Sequence, residues 1–161
     1  RTYSLGAAFQ DREVRALAEG RRGDLWIGTR GAGLFRLQQE KIEKVGRFQP
    51  ARVQAMHYDA RGILWVGTAT RGLFRVTGNR VYNWSRADGL PSNHVFMLHN
   101  DAKGRLWVGT NNGLARMDNG KFHVMTTADG LFANAVFSMA STPEALWVGS
   151  FGGVAQIRRA D

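Results

Sequence analysis

Hydrophobic residues in this chain fall in short runs broken by polar turns, and one run is written four times. It reads Leu25-Trp26-Ile27-Gly28-Thr29, Leu64-Trp65-Val66-Gly67-Thr68, Leu106-Trp107-Val108-Gly109-Thr110 and Leu146-Trp147-Val148-Gly149-Ser150. The leucines stand 39, 42 and 40 residues apart. A fixed period near 40 with one tryptophan per repeat predicts a stacked or radial array. Adjacent residues of a strand point to opposite faces, so Leu next to Trp predicts a strand buried on both sides. Such a strand needs a sheet packed against each face, and the blades of a propeller supply that.

The rest of each repeat follows from its turn residues. A valine (Val14, Val53, Val95, Val136) stands eleven residues before the motif in three copies and ten in the fourth, and it opens a first strand. Asp59-Ala-Arg-Gly62 and Asp101-Ala-Lys-Gly104 open with Asp and close with Gly, as tight turns prefer. The motif strand comes next, then a Gly-bearing turn, and then a third strand such as Leu73-Phe-Arg75. A further turn, clearest at Asp118-Asn-Gly120, leads to a fourth strand such as Lys121-Phe-His-Val-Met-Thr126. Four short antiparallel strands per repeat predict an all-β fold, a β-propeller holding four blades' worth of strands. The whole of residues 1–161 reads as one domain, with repeats at about 14–52, 53–94, 95–135 and 136–161 plus 1–10.

Residues 1–5 align with a fourth strand, Leu5 falling opposite Trp84, whereas the last repeat stops after its third. The N-terminal strand is therefore expected to close the last blade, in cis or in trans; in trans, two copies would exchange terminal strands in a homodimer. A start at Arg1 without methionine reads as a processed or excised piece of something longer.

With those residues in hand, the chain resembles the two-component-regulator propeller repeats. The best copy runs from Asp88-Gly-Leu-Pro-Ser-Asn93 through Val95, Asp101, Gly104, Leu106 to Thr110 and Gly113-Leu114 to Arg116. The resemblance implies a periplasmic or extracytoplasmic sensor module of a bacterial signalling protein, ahead of a membrane segment and an output domain. Its implied partner is a small molecule or saccharide. The chain departs from the family in having four repeats where more are usual.

Charge and composition add exclusions. The net charge of +9 is spread over all repeats, with no basic run longer than two, which describes a solvated basic surface and not a nucleic-acid site. No stretch approaches the ~20 apolar residues of a membrane span, so direct membrane insertion is not expected. There is no cysteine, hence no disulfide framework and no Cys-ligated metal.

The candidate residues divide by role. Trp26, Trp65, Trp107 and Trp147 share one buried strand position and read as core, with sugar stacking as the other reading. His57 and His99 occupy equivalent positions on neighbouring first strands and could meet in the channel as acid and base or as ligands. Ordinary polar packing is the alternative, and no metal or cofactor is assigned. Asp88 and Asp129 open the long loops, either as turn residues or as carboxylates for a ligand. Arg36, Arg75 and Arg116 recur at one strand position and read as ties between blades.

Strand direction places the Asp-Gly-Leu loops on the same face as Arg30, Arg71, Asn111, Asn112 and Phe151. Its loops are the longer and less uniform, so a ligand is expected there. No Gly-x-Ser-x-Gly, phosphate loop or His-Glu-x-x-His occurs. The function expected is a non-catalytic ligand-binding or interaction module. The alternatives are a propeller lyase using the channel histidines, like the streptogramin lyases, or a half-ring that functions only as an oligomer.

Overall fold

The computed structural model describes residues 1–4, 13–46, 48, 52–78 and 80–158. Three antiparallel sheets have four strands each. The first is β1 (Val14–Glu19), β2 (Leu25–Thr29), β3 (Leu34–Gln38) and β4 (Lys41–Lys44). The second is β5 (Val53–Tyr58), β6 (Leu64–Thr68), β7 (Leu73–Thr77) and β8 (Arg80–Trp84). The third is β9 (Val95–Asn100), β10 (Leu106–Thr110), β11 (Gly113–Asp118) and β12 (Lys121–Met125). The last sheet shows β13 (Val136–Ser141), β14 (Ala145–Ser150) and β15 (Gly153–Arg158). Strands pair in chain order within every sheet, and β1, β5, β9 and β13 lie side by side along the inner edge. This is the all-β propeller architecture that the repeat predicts.

Successive sheets are joined by one repeated contact. A Cβ at Gly28 would sit 2.4 Å from Val53 Cγ1, and one at Gly67 would sit 2.4 Å from Val95 Cγ1. At Gly109 it would lie 2.7 Å from the Val136 carbonyl oxygen and 3.0 Å from Val136 Cγ1. The glycine of each motif strand is thus a notch that receives the valine opening the next repeat. Around each joint lies an apolar layer: Trp26, Leu34, Val53, Val66 and Phe74 at the first, Trp65, Leu73, Val95 and Val108 at the second, and Trp107, Leu114, Val136 and Val148 at the third.

The tryptophans are held by more than packing. Trp65 Nε1 donates to Asp59 Oδ2 at 3.1 Å and Trp107 Nε1 to Asp101 Oδ2 at 3.0 Å. The other oxygen of each aspartate accepts two backbone N–H groups of its own turn: Arg61 and Ile63 on Asp59, Lys103 and Arg105 on Asp101. One buried carboxylate therefore shapes the turn and satisfies the indole. Burial alone would raise the Asp101 pKa; the hydrogen bonds from Trp107 and Arg105 and the Arg105 charge outweigh it and hold the group below its ordinary 3.8. The first sheet lacks this device, since Gly20 stands at the aspartate position and Trp26 Nε1 is buried without a partner.

The two ends differ from the interior. Trp147 is 39% exposed, against 3% for Trp107 at the same position, because no described sheet covers its face. Val14 is 47% exposed, whereas Val95 in its glycine notch is fully buried. The expected closure by the N-terminal strand is not seen. Residues 1–4 form no strand and Arg1 pairs with Glu40 beside the β3–β4 turn; Leu5 and the remainder of residues 5–10 lie outside the described residues.

The joint makes a direct prediction. Gly67→Ala forces a methyl against Val95 and is expected to cost about 1–3 kcal/mol in urea unfolding. Combined with Val95→Ala, which removes the opposing methyls, the loss should fall short of the sum of the two single losses. Simple addition would show that the notch is not where the sheets meet.

Candidate functional site

All four inner strands carry a β-bulge at the same place. Val14 pairs with Thr29 and Ala16 with Gly28, so Arg15 is left out of the ladder. Gln54, Phe96 and Phe137 are left out in the same way. A bulged residue escapes the in-out alternation of its strand, and its side chain can be re-aimed.

Here the four side chains and their neighbours form a continuous row across the mouth of the array. Arg30 Nη1 lies 3.2 Å from Glu13 Oε2, and Arg15 Nη1 is 2.5 Å from Glu13 Oε1. Arg15 Nη2 donates to Gln54 Oε1 at 3.2 Å, and Gln54 Nε2 is 3.4 Å from His94 Nε2. The row then turns aromatic: His94 to Phe96 at 4.4 Å between ring centroids, Phe96 to Phe137 at 4.7 Å and Phe137 to Phe151 at 4.6 Å. Phe151 is 69% exposed, and the ring of Phe132 lies across the turn at Gly152 and Gly153.

Character thus changes along the row, from ionic over the first sheet to amide and imidazole at the second and third, then to bare aromatic faces at the fourth. A hollow of 200 Å³ at the ionic end is lined by Glu13, Arg15, Arg30, Arg52 and Gln54. The hydrogen bond from Arg15 is the largest influence holding Glu13 below its ordinary pKa; burial opposes it, and Arg30 adds to it. Such a surface can hold a ligand with an oxygen-rich end and a flat apolar face.

Of the residues singled out from sequence, Arg30 and Phe151 end this row. Asn111 and Asn112 are exposed in the β10–β11 turn, with Asn111 N donating to the His94 carbonyl at 3.1 Å. Arg71 lies over the Phe74 ring at 5.5 Å. Asp88 Oδ2 accepts from Ser85 N at 2.8 Å and Ser85 Oγ at 3.0 Å, and Asp129 Oδ2 accepts from Thr126 N at 2.9 Å and Thr126 Oγ1 at 3.1 Å. Each aspartate closes a capping box on a short 3₁₀ turn that ends in a left-handed glycine. Arg15, Gln54, Phe96 and Phe137 were not singled out. Their signal was a position after the repeat valine that varies as Arg, Gln, Phe, Phe amid residues that recur.

The histidines sit lower on the inner strands. His57 is beside Asn100 of the next sheet, and His99 Nε2 is 2.6 Å from Ser141 Oγ of the sheet after that. Each imidazole thus reaches forward to the following sheet. Among the described residues no three His, Cys, Asp or Glu side chains converge as metal ligands would. Burial pushes the His57 pKa below 6.5, against the opposing influence of the Asp59 charge and the Asn100 side chain.

Comparison with known proteins places the chain among others of its fold. The family model described as two component regulator propeller matches residues 8–31 and 89–112. The chain is similar to the extracellular domain of a putative hybrid two-component system from Bacteroides thetaiotaomicron, at 23% identity and a TM-score of 0.76 over 88% of this chain and 21% of that one. It is also similar in fold to virginiamycin B lyase from Staphylococcus aureus (15% identity, TM-score 0.71, 94% of this chain and 57% of that one). A computationally designed protein, Ika4, is matched over 96% of this chain and 95% of its own, at 11% identity and a TM-score of 0.68. At such identities the likeness is one of fold. No curated protein sequence matches the chain.

A histidine whose folded pKa lies below its unfolded value takes up its proton more readily when unfolded. Its contribution to stability is therefore full above the ordinary value of 6.5 and is lost as pH falls below it. The urea midpoint should fall between about pH 7 and pH 5, and His57→Asn should flatten that fall; an unchanged slope would place the titration elsewhere.

Proposed function

We propose that this chain, two stretches of which match the two component regulator propeller model, is the sensing part of a bacterial signalling protein, working outside the cytoplasm and reading a small ligand at the mouth of the array. The single observation that carries the reading is the bulge repeated in all four inner strands, which brings Arg15, Gln54, Phe96 and Phe137 into one row. Four separate sheets each contribute one side chain to a common surface while their interiors stay alike. The extracellular domain in Bacteroides thetaiotaomicron supports the compartment, although this chain spans only a fifth of its length.

The ligand chemistry follows from the row. Phe96, Phe137 and Phe151 offer ring faces to the apolar side of a saccharide or other flat molecule, and Arg15, Arg30 and Gln54 offer donors to its oxygens. Binding here involves no bond making. It acts by favouring one spacing of the four sheets over another, and that spacing is what a following segment would read.

A panel of oligosaccharides screened by native mass spectrometry, with titration calorimetry on any that bind, tests the proposal. Phe137→Ala should weaken a bound saccharide by about tenfold or more, near 1.4 kcal/mol. Lys121→Ala, at the start of β12 at the opposite end of the third sheet, should leave the affinity as it was. Equal loss in both variants, or retention in Phe137→Ala, would move the site away from the bulged row.

A further inference from the structure

Three sheets place an arginine opposite the motif tryptophan: Arg36 across from Trp26, Arg75 from Trp65 and Arg116 from Trp107. Two of the three have an internal counter-ion. Arg36 Nε donates to Asp24 Oδ2 at 3.0 Å, and Arg116 bonds Asp118 Oδ2 through Nε at 2.9 Å and Nη2 at 2.7 Å. In the second sheet Ile63 stands at the position of Asp24 and Thr77 at that of Asp118. Among the described residues no carboxylate pairs with Arg75. Its guanidinium lies over the Tyr82 ring at 4.6 Å, and its Nε is buried without a hydrogen-bond partner. The guanidinium lines a cleft with no carboxylate paired to it among the described residues, so its charge favours an acceptor from outside the chain.

The surroundings provide room for one. A cleft of 290 Å³ opens between the second and third sheets, lined among others by Arg61, Trp65, Arg75 and Asn119. Arg61 reaches over the turn of the third sheet, where a Cβ at Gly104 would be 3.7 Å from its Nη2. Asp59 also lines the cleft, but Oδ1 is taken by Arg61 N and Ile63 N and Oδ2 by Trp65 Nε1. Two cations therefore face one carboxylate whose hydrogen bonds are already made.

We propose that this cleft is a second binding site, which takes the oxyanion of a small molecule, carboxylate or phosphate, on Arg75 and Arg61. It lies at the Asn119-Gly120 end of the sheets, away from the aromatic row, so occupancy of one does not obstruct the other. The first and third sheets carry their anion as an aspartate, while the second borrows its own from solution. Bound anion then reports on the environment through the packing of the second sheet against the third.

The test is thermal unfolding of the whole chain in inorganic phosphate or sodium acetate, against sodium chloride at matched ionic strength. An oxyanion that binds only the folded form should raise the midpoint by roughly 5–10 °C at about 100 times its Kd. Arg75→Gln should abolish the rise. Thr77→Asp, which supplies a carboxylate where the third sheet has Asp118, should raise the midpoint without oxyanion and abolish the further response. A response to phosphate alone identifies a phosphate site, and an equal response to acetate shows that a carboxylate suffices. No rise above chloride, or a full rise that survives in Arg75→Gln, overturns the proposal. Calorimetric titration of phosphate into the native protein measures the same binding without relying on the stability of either variant, and an absence of saturable heat there overturns it equally.

Discussion

The entry of a valine into a glycine notch is the contact on which the rest of this molecule depends. It carries no charge and makes no hydrogen bond; it works by excluded volume and dispersion at short range. A side chain at Gly28, Gly67 or Gly109 would occupy the space of Val53, Val95 or Val136. Because the glycine sits two residues after the tryptophan, notch and indole lie on the same face of the strand. The incoming sheet is thus fixed by a methyl in the notch and by a ring beside it. The indole in turn needs its N–H satisfied, and the turn aspartates of the second and third sheets do this with an oxygen left over from shaping their own turns.

Uniformity in the joints permits variety elsewhere. Once the sheets are held by apolar contacts that recur, residues outside the ladders are released from that role. The bulged position is the clearest case: it makes no cross-strand pair, and its occupants run from arginine to phenylalanine. Arginines opposite the tryptophans show the same freedom, since three sheets keep the cation and each balances it differently.

How far this was legible in the sequence depends on whether a feature is local or relational. Leu64 beside Trp65 announces a strand buried on both faces, and the structure buries both. Asp59 announces a turn by its distance from Gly62, but its hydrogen bond to an indole six residues on requires the register of β5 against β6. The bulges were invisible for the same reason, since an extra residue in a strand shows only when its partner is known. Asp88 could be read as a cap or as a ligand carboxylate, and Ser85, three residues earlier, was the signal for the cap. Trp147 illustrates a different limit: its residue type and spacing match Trp107, and only the absence of a covering described sheet leaves it exposed. The missing counter-ion of Arg75 was written in Ile63 and Thr77, yet it has meaning only after pairing shows which positions correspond.

The mouth takes one residue from each sheet, and those sheets are separated by three joints of the same glycine–valine kind. A small change of tilt at each joint therefore adds up across the row, and the gap between Arg15 and Phe151 magnifies what happens at any one glycine. The geometry is that of a caliper whose jaws are the two ends of the bulged row and whose hinges are the buried glycine joints. A molecule held across the row, as proposed above, would bend every hinge slightly in the same direction, and an event at the rim would then be distributed through the whole core without a dedicated path.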